Sequence, residues 1–133
     1  MALNPKTSAA FRSLALDAAF DTLNSGKYRI YDSTQPSDSD TALGAQVLLA
    51  DLALGNPAFA AASAGSKAAN AITQDSSADA TGTATWASLL TSGNVRKMDM
   101  SAGTASVNLV LNSAAIASGA AVSVSSLTIS QAA

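Results

Sequence analysis

Apolar residues near the start of the chain recur every three or four positions, which predicts a helix over about residues 8–24. Either Asn4-Pro5 or Ser8 can cap its beginning, and Gly26 can end it. We expect Phe11 and Phe20 on the face that meets the rest of the protein. The apolar positions form two sets, Phe11, Leu14, Ala15, Ala18 and Ala19 in the first and Leu16, Phe20 and Leu23 in the second.

The same helix carries two aspartates, Asp17 and Asp21, which lie one turn apart. Carboxylates without an obvious partner usually face water. We therefore expect both on the solvent face of a short amphipathic helix.

Beyond Gly26 the apolar pattern changes to a period of two, which is typical of strands. The turn at 92–94 (Ser-Gly-Asn) predicts a hairpin between its flanking strands. Near the end, the apolar positions change parity across Ser125 and Ser126, which predicts a bulge or sharp bend because a pleated strand has a strict period of two. Predicted strands cover 28–31, 46–54, 83–90, 95–100, 107–112 and 122–129, with shorter ones at Phe59 and 69–72. The segment 46–54 could also be a second helix, but a strand is preferred.

These patterns predict a mainly β protein, a β-sandwich or jelly-roll-like antiparallel domain with one N-terminal amphipathic helix. A chain of 133 residues suits one hydrophobic core, so we expect a single domain over 1–133 with its β body at about 27–131. A long loop is expected over 32–40. The segment 58–69, rich in Ala, Ser and Gly, is expected to be a flexible arm or loop.

The composition is typical of a protein that contacts other protein surfaces. Hydrophobic residues make up 48% of the chain but aromatics only 5%, so an Ala-rich core buries little area per residue. Charged residues make up 12% and the net charge is −2, which gives little repulsion between copies. A compositionally biased genome would produce the same amino-acid composition, so both interpretations stay open. Basic residues are scattered, which argues against nucleic acid, and no apolar run is long enough for a membrane span or a signal peptide.

The chain lacks the residues that most enzymes use. It contains no histidine, cysteine or glutamate, which removes the commonest general base, thiolate chemistry and most ligand sets for metals. We expect no catalytic residue, no cofactor and no metal site, so the protein is predicted not to be an enzyme. The remaining enzyme hypothesis is an aspartate-based hydrolase; its candidate residues are Asp38, Asp40, Asp75 and Asp79.

Two loops gather aspartates, with Asp32, Asp38 and Asp40 in the first and Asp75 and Asp79 in the second. Oxygen ligands of this kind can hold calcium, but neither loop has the spacing of a calcium-binding loop. Asx turns, in which a carboxylate accepts from a nearby backbone amide, are the preferred interpretation.

Three aromatic residues are candidate partner contacts. Trp86 could be a stacking platform for a sugar or a hot spot for a protein, or it could anchor a core of small residues, which we favour. Tyr28 and Tyr31 lie on opposite faces of one predicted strand, so one of them is expected to be exposed.

Three passages, 28–54, 70–90 and 111–130, resemble small structural proteins of tailed bacteriophages and prophages. The pieces that carry the resemblance are a turn after the first strand, the entry to a later strand and the lead into the last strand. Their sequences are YDSTQP at 31–36, GTATW at 82–86 and LNSAAIASG at 111–119.

The resemblance implies a virion component with a sandwich or jelly-roll body, most similar to a capsid cement or decoration protein. Its implied partners are the major capsid protein and neighbouring copies of itself, on the capsid surface of a particle assembled in the host cytoplasm. Such proteins bridge capsomers through polar faces, unpaired strand edges and flexible pieces, here 1–7, 58–69 and 132–133. The alternative is a receptor-binding or carbohydrate-binding module of the tail or fibre, for which an exposed Trp86 would be the feature.

Overall fold

The computed structural model describes residues 5–105, 107 and 109–130. Within them, helix α1 is followed by a 3-10 turn at Asp21–Leu23 and by nine strands. The prediction of a mainly β protein with one N-terminal helix is confirmed. The bounds are α1 Ala9–Phe20, β1 Lys27–Tyr31, β2 Leu48–Ala53, β3 Ser66–Ala68, β4 Gly82–Thr83, β5 Trp86–Leu90, β6 Arg96–Gly103, β7 Leu109–Leu111, β8 Ala115–Ile116 and β9 Val124–Ser130.

Seven strands form one curled sheet in the order β2-β1-β5-β6-β7-β9-β3, and β4 and β8 form a separate ribbon. All pairs are antiparallel except β6 and β7, which run parallel. The prediction of a wholly antiparallel sheet is therefore wrong at this pair. A sandwich or jelly roll is not confirmed.

Both edges of the sheet are covered by the chain itself. At the β2 edge, the amides of Thr73 and Asp79 donate to the carbonyls of Ala53 and Leu49 at 3.0 and 2.8 Å. At the β3 edge, the amide of Ala60 donates to the carbonyl of Ala68 at 2.9 Å. The expectation of strand edges open for augmentation is wrong along these stretches, because their backbone groups already have partners.

The predicted loop 58–69 is ordered rather than a free arm. It contains β3, and isolated bridges join Phe59 to Ala69 and Ser63 to Ser66. Phe59 and Lys67 are buried. The prediction is wrong because small residues let this segment fold back on itself and pack under the helix.

Helix α1 docks through the second of its two apolar sets. Leu16, Phe20 and Leu23 are buried, and the ring of Phe20 meets that of Phe59 edge-on at 4.8 Å between centroids. Phe11 is 62% exposed, so its predicted place on the inner face is wrong. Asp17 was predicted on the solvent face, but its side chain is half-buried, so this prediction is also wrong.

Polar contacts explain which helix face turns inward. The carboxylate of Asp17 pairs with buried Lys67 and accepts from the amide of Ala62 at 2.9 Å. One turn earlier, the hydroxyl of Ser13 accepts from the amide of Gly65 at 3.1 Å. Either apolar set could cover the core, but only one lies beside both polar anchors.

Two local predictions in the β region are confirmed. The chain turns at Asn94, which takes a positive φ of 65°, and β5 and β6 pair as a hairpin. In the last strand, Leu111 pairs with Val124 while Val110 pairs with Ser126, which leaves Ser125 as the extra residue of a bulge. By contrast, the predicted strand 83–90 is divided between the β4 ribbon and β5 of the main sheet.

Candidate binding surfaces

The central strands present a polar row of side chains on one face of the sheet. The register places Tyr31 of β1 opposite Trp86 of β5, and Arg29 opposite Ser88. On the far side of β5, Ser88 lies opposite Asp99 of β6. Because alternate residues share a face, these side chains lie together. We call them, with Asp51 and Arg96, the polar face.

The predicted aromatic contacts are buried in the chain. Tyr31 and Trp86 are 3% and 1% exposed, and their rings stack at 4.5 Å with an angle of 14°. The indole N–H donates to the carbonyl of Asp32 at 3.0 Å. Trp86 is buried, as the core-anchor interpretation requires, but it lies on the polar face and outside the apolar core cluster, and neither ring is accessible to a partner.

Tyr28 points into the apolar core from the opposite side of β1 and has 0% exposure. Its hydroxyl is buried without a hydrogen-bond partner, and burial raises the pKa of this phenol well above its ordinary value. The expectation that one tyrosine would be exposed is wrong. That expectation assumed that one face of the sheet is exposed to water. In the structure, the loop 32–47 packs over the polar face, and the apolar core covers the opposite face.

Arg96 connects the polar face to the loop 32–47. Its guanidinium pairs with Asp99 and donates to the carbonyls of Thr41 and Asp38 at 2.5 and 3.4 Å. It also lies 5.7 Å from the centre of the Trp86 ring, within the range of a cation–π contact. One side chain thus links a strand, an aromatic stack and a loop.

The other members of the polar face complete a network of bonds. The hydroxyl of Ser88 donates to Asp99 at 2.8 Å. Arg29 donates to Asp51 at 3.1 Å and to the side-chain oxygen of Asn94 at 3.4 Å. Burial raises the pKa of the neighbouring Tyr31 phenol, and the charge of Arg29 counters part of that rise.

The loop aspartates bond to local backbone. One carboxylate oxygen of Asp38 accepts from the amides of Asp40 and Thr41, at 3.1 and 2.8 Å, and from the Thr41 hydroxyl at 2.8 Å. The Thr41 hydroxyl and amide hold the pKa of Asp38 below its ordinary value. In the second loop, Asp75 accepts from the amide of Ser77 at 3.0 Å. The Asx-turn interpretation is confirmed at these two positions.

Over residues 5–105, 107 and 109–130, the structure has no cluster of three or more aspartates that could hold a metal ion. No helix in this part is both long enough and apolar enough to cross a membrane.

In the described part of the chain, five large apolar side chains are exposed, and they fall in two regions. The first, here called the helix face, is the outer side of α1 and carries Phe11 and Leu14, which are 62% and 68% exposed, with Ala15 and Ala18 beside them. The second, here called the loop–hairpin surface, comprises the loop 32–47 and the β5–β6 turn, which Arg96 connects through the carbonyls of Thr41 and Asp38. Leu43 and Val47 lie on the loop and Val95 lies at the turn, with 41%, 44% and 52% exposure.

Sequence reasoning missed the helix face as a surface, although its signal was present. A helix with two apolar sets can bury only one of them against a single core. The two sets together cover too much of the circumference for one buried stripe. The presence of the first set, led by Phe11 and Leu14, was therefore the signal for an exposed contact.

A recess lies beside the C-terminal end of the helix face. It is a surface pocket of about 310 Å³ between the end of α1 and strand β6. Its lining is mostly apolar, with Lys97 as its one charged residue. The lining residues are Ala19, Phe20, Thr22, Leu23, Lys97 and Met98.

Comparisons with known proteins add no relative: no family model, curated protein or solved structure matches the chain.

Proposed function

We propose that this protein is a virion structural protein of a tailed bacteriophage, acting as a capsid cement or decoration protein that bridges capsomers. The observation that carries the proposal is the presence of exposed apolar side chains in two separate regions of one small body. A bridging protein must hold two neighbours at once, and the helix face and the loop–hairpin surface offer one contact each. The phage-like passages at 28–54, 70–90 and 111–130 agree with this role, as does the low net charge of −2.

The polar network supports the proposal by making the second surface rigid. Arg96 ties the loop 32–47 to β6 through the carbonyls of Thr41 and Asp38. A preorganised surface loses less conformational entropy on binding. Many copies on a symmetric shell then add weak contacts into stable attachment. A sandwich or jelly-roll class for the curled sheet belongs to the same proposal.

The alternative of a carbohydrate-binding tail or fibre module has less support. Its candidate platform was Trp86, and that ring is 1% exposed and stacked on Tyr31. Sugar-binding aromatic side chains offer an open face to the ligand.

The test is the copy number and position of the protein in purified particles. Quantitative mass spectrometry should find it in hundreds of copies per virion, at a fixed ratio to the major capsid protein. Cryo-electron microscopy should place it on the outer shell between capsomers. A handful of copies, or a position at the tail tip, would contradict the proposal.

A matched pair of variants sharpens this test. Val95→Lys places a charge on the loop–hairpin surface, and Ser76→Lys places one on an exposed loop outside both surfaces. Particles depleted of the protein should rebind the Ser76→Lys chain normally and the Val95→Lys chain at least about tenfold more weakly, which corresponds to about 1.4 kcal/mol. Equal rebinding would exclude the loop–hairpin surface as a capsid contact.

A further inference from the structure

We propose that the helix face is a self-association surface, on which α1 of a second copy packs antiparallel about a two-fold axis. This deepens the proposed function, on which it rests, by naming the occupant of one of the two surfaces. The inference comes from the order of features along the helix: bulky side chains at the N-terminal end, alanines in the middle and a recess at the C-terminal end.

The spacing of these features fits an antiparallel pair. Phe11, Ala15 and Ala19 follow one another at intervals of four residues on one row of the helix, and Ala19 belongs to the lining of the recess, about 12 Å from Phe11 along the helix axis. If the two-fold axis passes close to Ala15, each Phe11 lies over the recess of the other copy. A contact of this isologous kind closes on itself as a dimer.

The recess is large enough for the side chain that would enter it. A cavity of about 150 Å³ lined by apolar side chains is sufficient to bind benzene. The recess measures about 310 Å³ and is walled by Phe20, Leu23 and Met98, so it accommodates the phenyl ring of Phe11. The exposed ring and the Ala19 rim of the recess thus lie on one row of the same helix.

The centre of the face permits close approach. Ala15 and Ala18 are exposed and have the smallest side chains that still pack, so two helix backbones can come near each other there. Neither carries a charge. A polar or charged partner surface would leave its own groups without hydrogen bonds here, whereas a second copy presents alanine to alanine.

Charge also favours the antiparallel direction. Asp21 is exposed at the C-terminal end of the helix. In an antiparallel pair it lies close to the N-terminus of the second helix, where the helix dipole favours a negative charge. In a parallel pair it would lie beside the C-terminus of the second helix and the second Asp21, both unfavourable.

The expected affinity follows from the size of the face. Helix α1 has 12 residues and is about 18 Å long. One face of that length buries less than the roughly 800 Å² per partner of standard interfaces, so the pair belongs to the weak class. We expect a dimer that forms with rising concentration and is favoured where copies are crowded on a shell.

The test uses the intact, purified chain without capsids, so its outcome is separate from that of the copy-number test. Sedimentation velocity over about 10 µM to 1 mM should show the wild type moving from monomer towards dimer. Phe11→Lys should weaken association at least about tenfold. Val95→Lys, at a residue of similar exposure on the other surface, should associate like the wild type. Circular dichroism checks that each variant folds.

A second measurement reads the geometry directly. The chain has no cysteine, so Ala15→Cys introduces a single thiol near the proposed axis. Mild oxidation should convert it to a disulfide-linked dimer much faster than Ser92→Cys, a control at the exposed hairpin turn. Equal rates would contradict the antiparallel pair.

Three other outcomes overturn the proposal. A wild type that stays monomeric to 1 mM has no self-association surface of this strength. Association that Phe11→Lys leaves unchanged uses another face. A monomer whose Phe11→Lys variant loses binding to depleted particles uses the helix face for the capsid protein instead, which leaves the proposed function standing.

Discussion

The two faces of strands β1 and β5 are both buried, but different forces hold them. On one face Tyr28, Ile30 and Leu89 have 0% exposure and belong to the apolar core under the helix. On the other face the buried groups, apart from Leu90, are polar or aromatic, and directed bonds join them, such as those of Ser88 and Arg96 with Asp99. The first face depends on area removed from water, and the second depends on geometry.

This difference changes what each face can tolerate. An apolar contact is not directional, so neighbouring side chains can shift to fill part of a lost volume. A buried ionic network fails when one member is removed, because the remaining charge is left without a partner. The polar face also holds the loop 32–47 in place. Removing its bonds should therefore also disorder the loop–hairpin surface.

The largest expected effect comes from breaking the ion pair of the polar face. Asp99 and Arg96 side chains are 2% and 12% exposed. Arg96→Met alone should lower the free energy of unfolding by about 4 kcal/mol, because the buried Asp99 loses its ion-pair partner. Asp99→Leu alone should cost about 3 kcal/mol. The double variant should cost clearly less than the sum of the two.

Urea unfolding of the four proteins measures this double-mutant cycle. A strongly non-additive result would show that the pair acts as a unit. Additive losses would mean that the polar face behaves like the apolar one, and the contrast drawn between them would fail.

A smaller loss is expected on the apolar face. Leu89→Ala removes a fully buried side chain and should lower the free energy of unfolding by about 3 kcal/mol, through lost burial and a residual cavity. Leu43→Ala, at a residue that is 41% exposed, is the matched control and should change it by under about 0.5 kcal/mol. Thermal unfolding of both variants checks the pair, and similar losses would place Leu43 in a packed environment.

The smallest effect is one of pH, and it should be confined to the loop over the polar face. The pKa of Asp38 is lowered in the folded chain, chiefly by the Thr41 hydroxyl and then by its amide. The stability that this carboxylate contributes is therefore present above its ordinary pKa of about 3.9 and is lost as pH falls through the lower folded value.

Amide chemical shifts of Asp40 and Thr41, followed from about pH 6 to pH 2, should report this loss below about pH 3.9. Asp38→Asn keeps an oxygen acceptor without the titration, so its shifts at these amides should stay nearly flat. A wild-type profile that matches that of Asp38→Asn would show that the carboxylate does not hold the loop.

Local sequence patterns predicted the turns, caps and bulges correctly, but they did not predict which distant segments contact them. The hairpin at 92–94, the bulge at Ser125 and the helix cap at Ser8 depend on turn chemistry and on the period of two, which neighbouring residues contain. The loop 58–69 was misjudged because its order comes from Phe20, Asp17 and a pairing with β9, all distant in the chain.

For the candidate surfaces, too, the sequence predicted some features and tertiary contacts decided the others. That the chain has two apolar sets in its helix and few charges was readable from composition and spacing. That Phe11 and Leu14 face outward was decided by the anchors Ser13 and Asp17, whose partners lie at Gly65, Ala62 and Lys67. No local pattern reports such a partner.

The sequence by itself determined a single, mainly β chain with one N-terminal helix and without histidine, cysteine or glutamate, because these follow from composition and from local periodicity. Only the tertiary structure decided that Trp86 and Tyr31 are stacked inside, that the sheet edges at β2 and β3 are covered and that the helix face is exposed. The physical reason is that burial depends on which distant segment covers a face, and a residue type does not specify that.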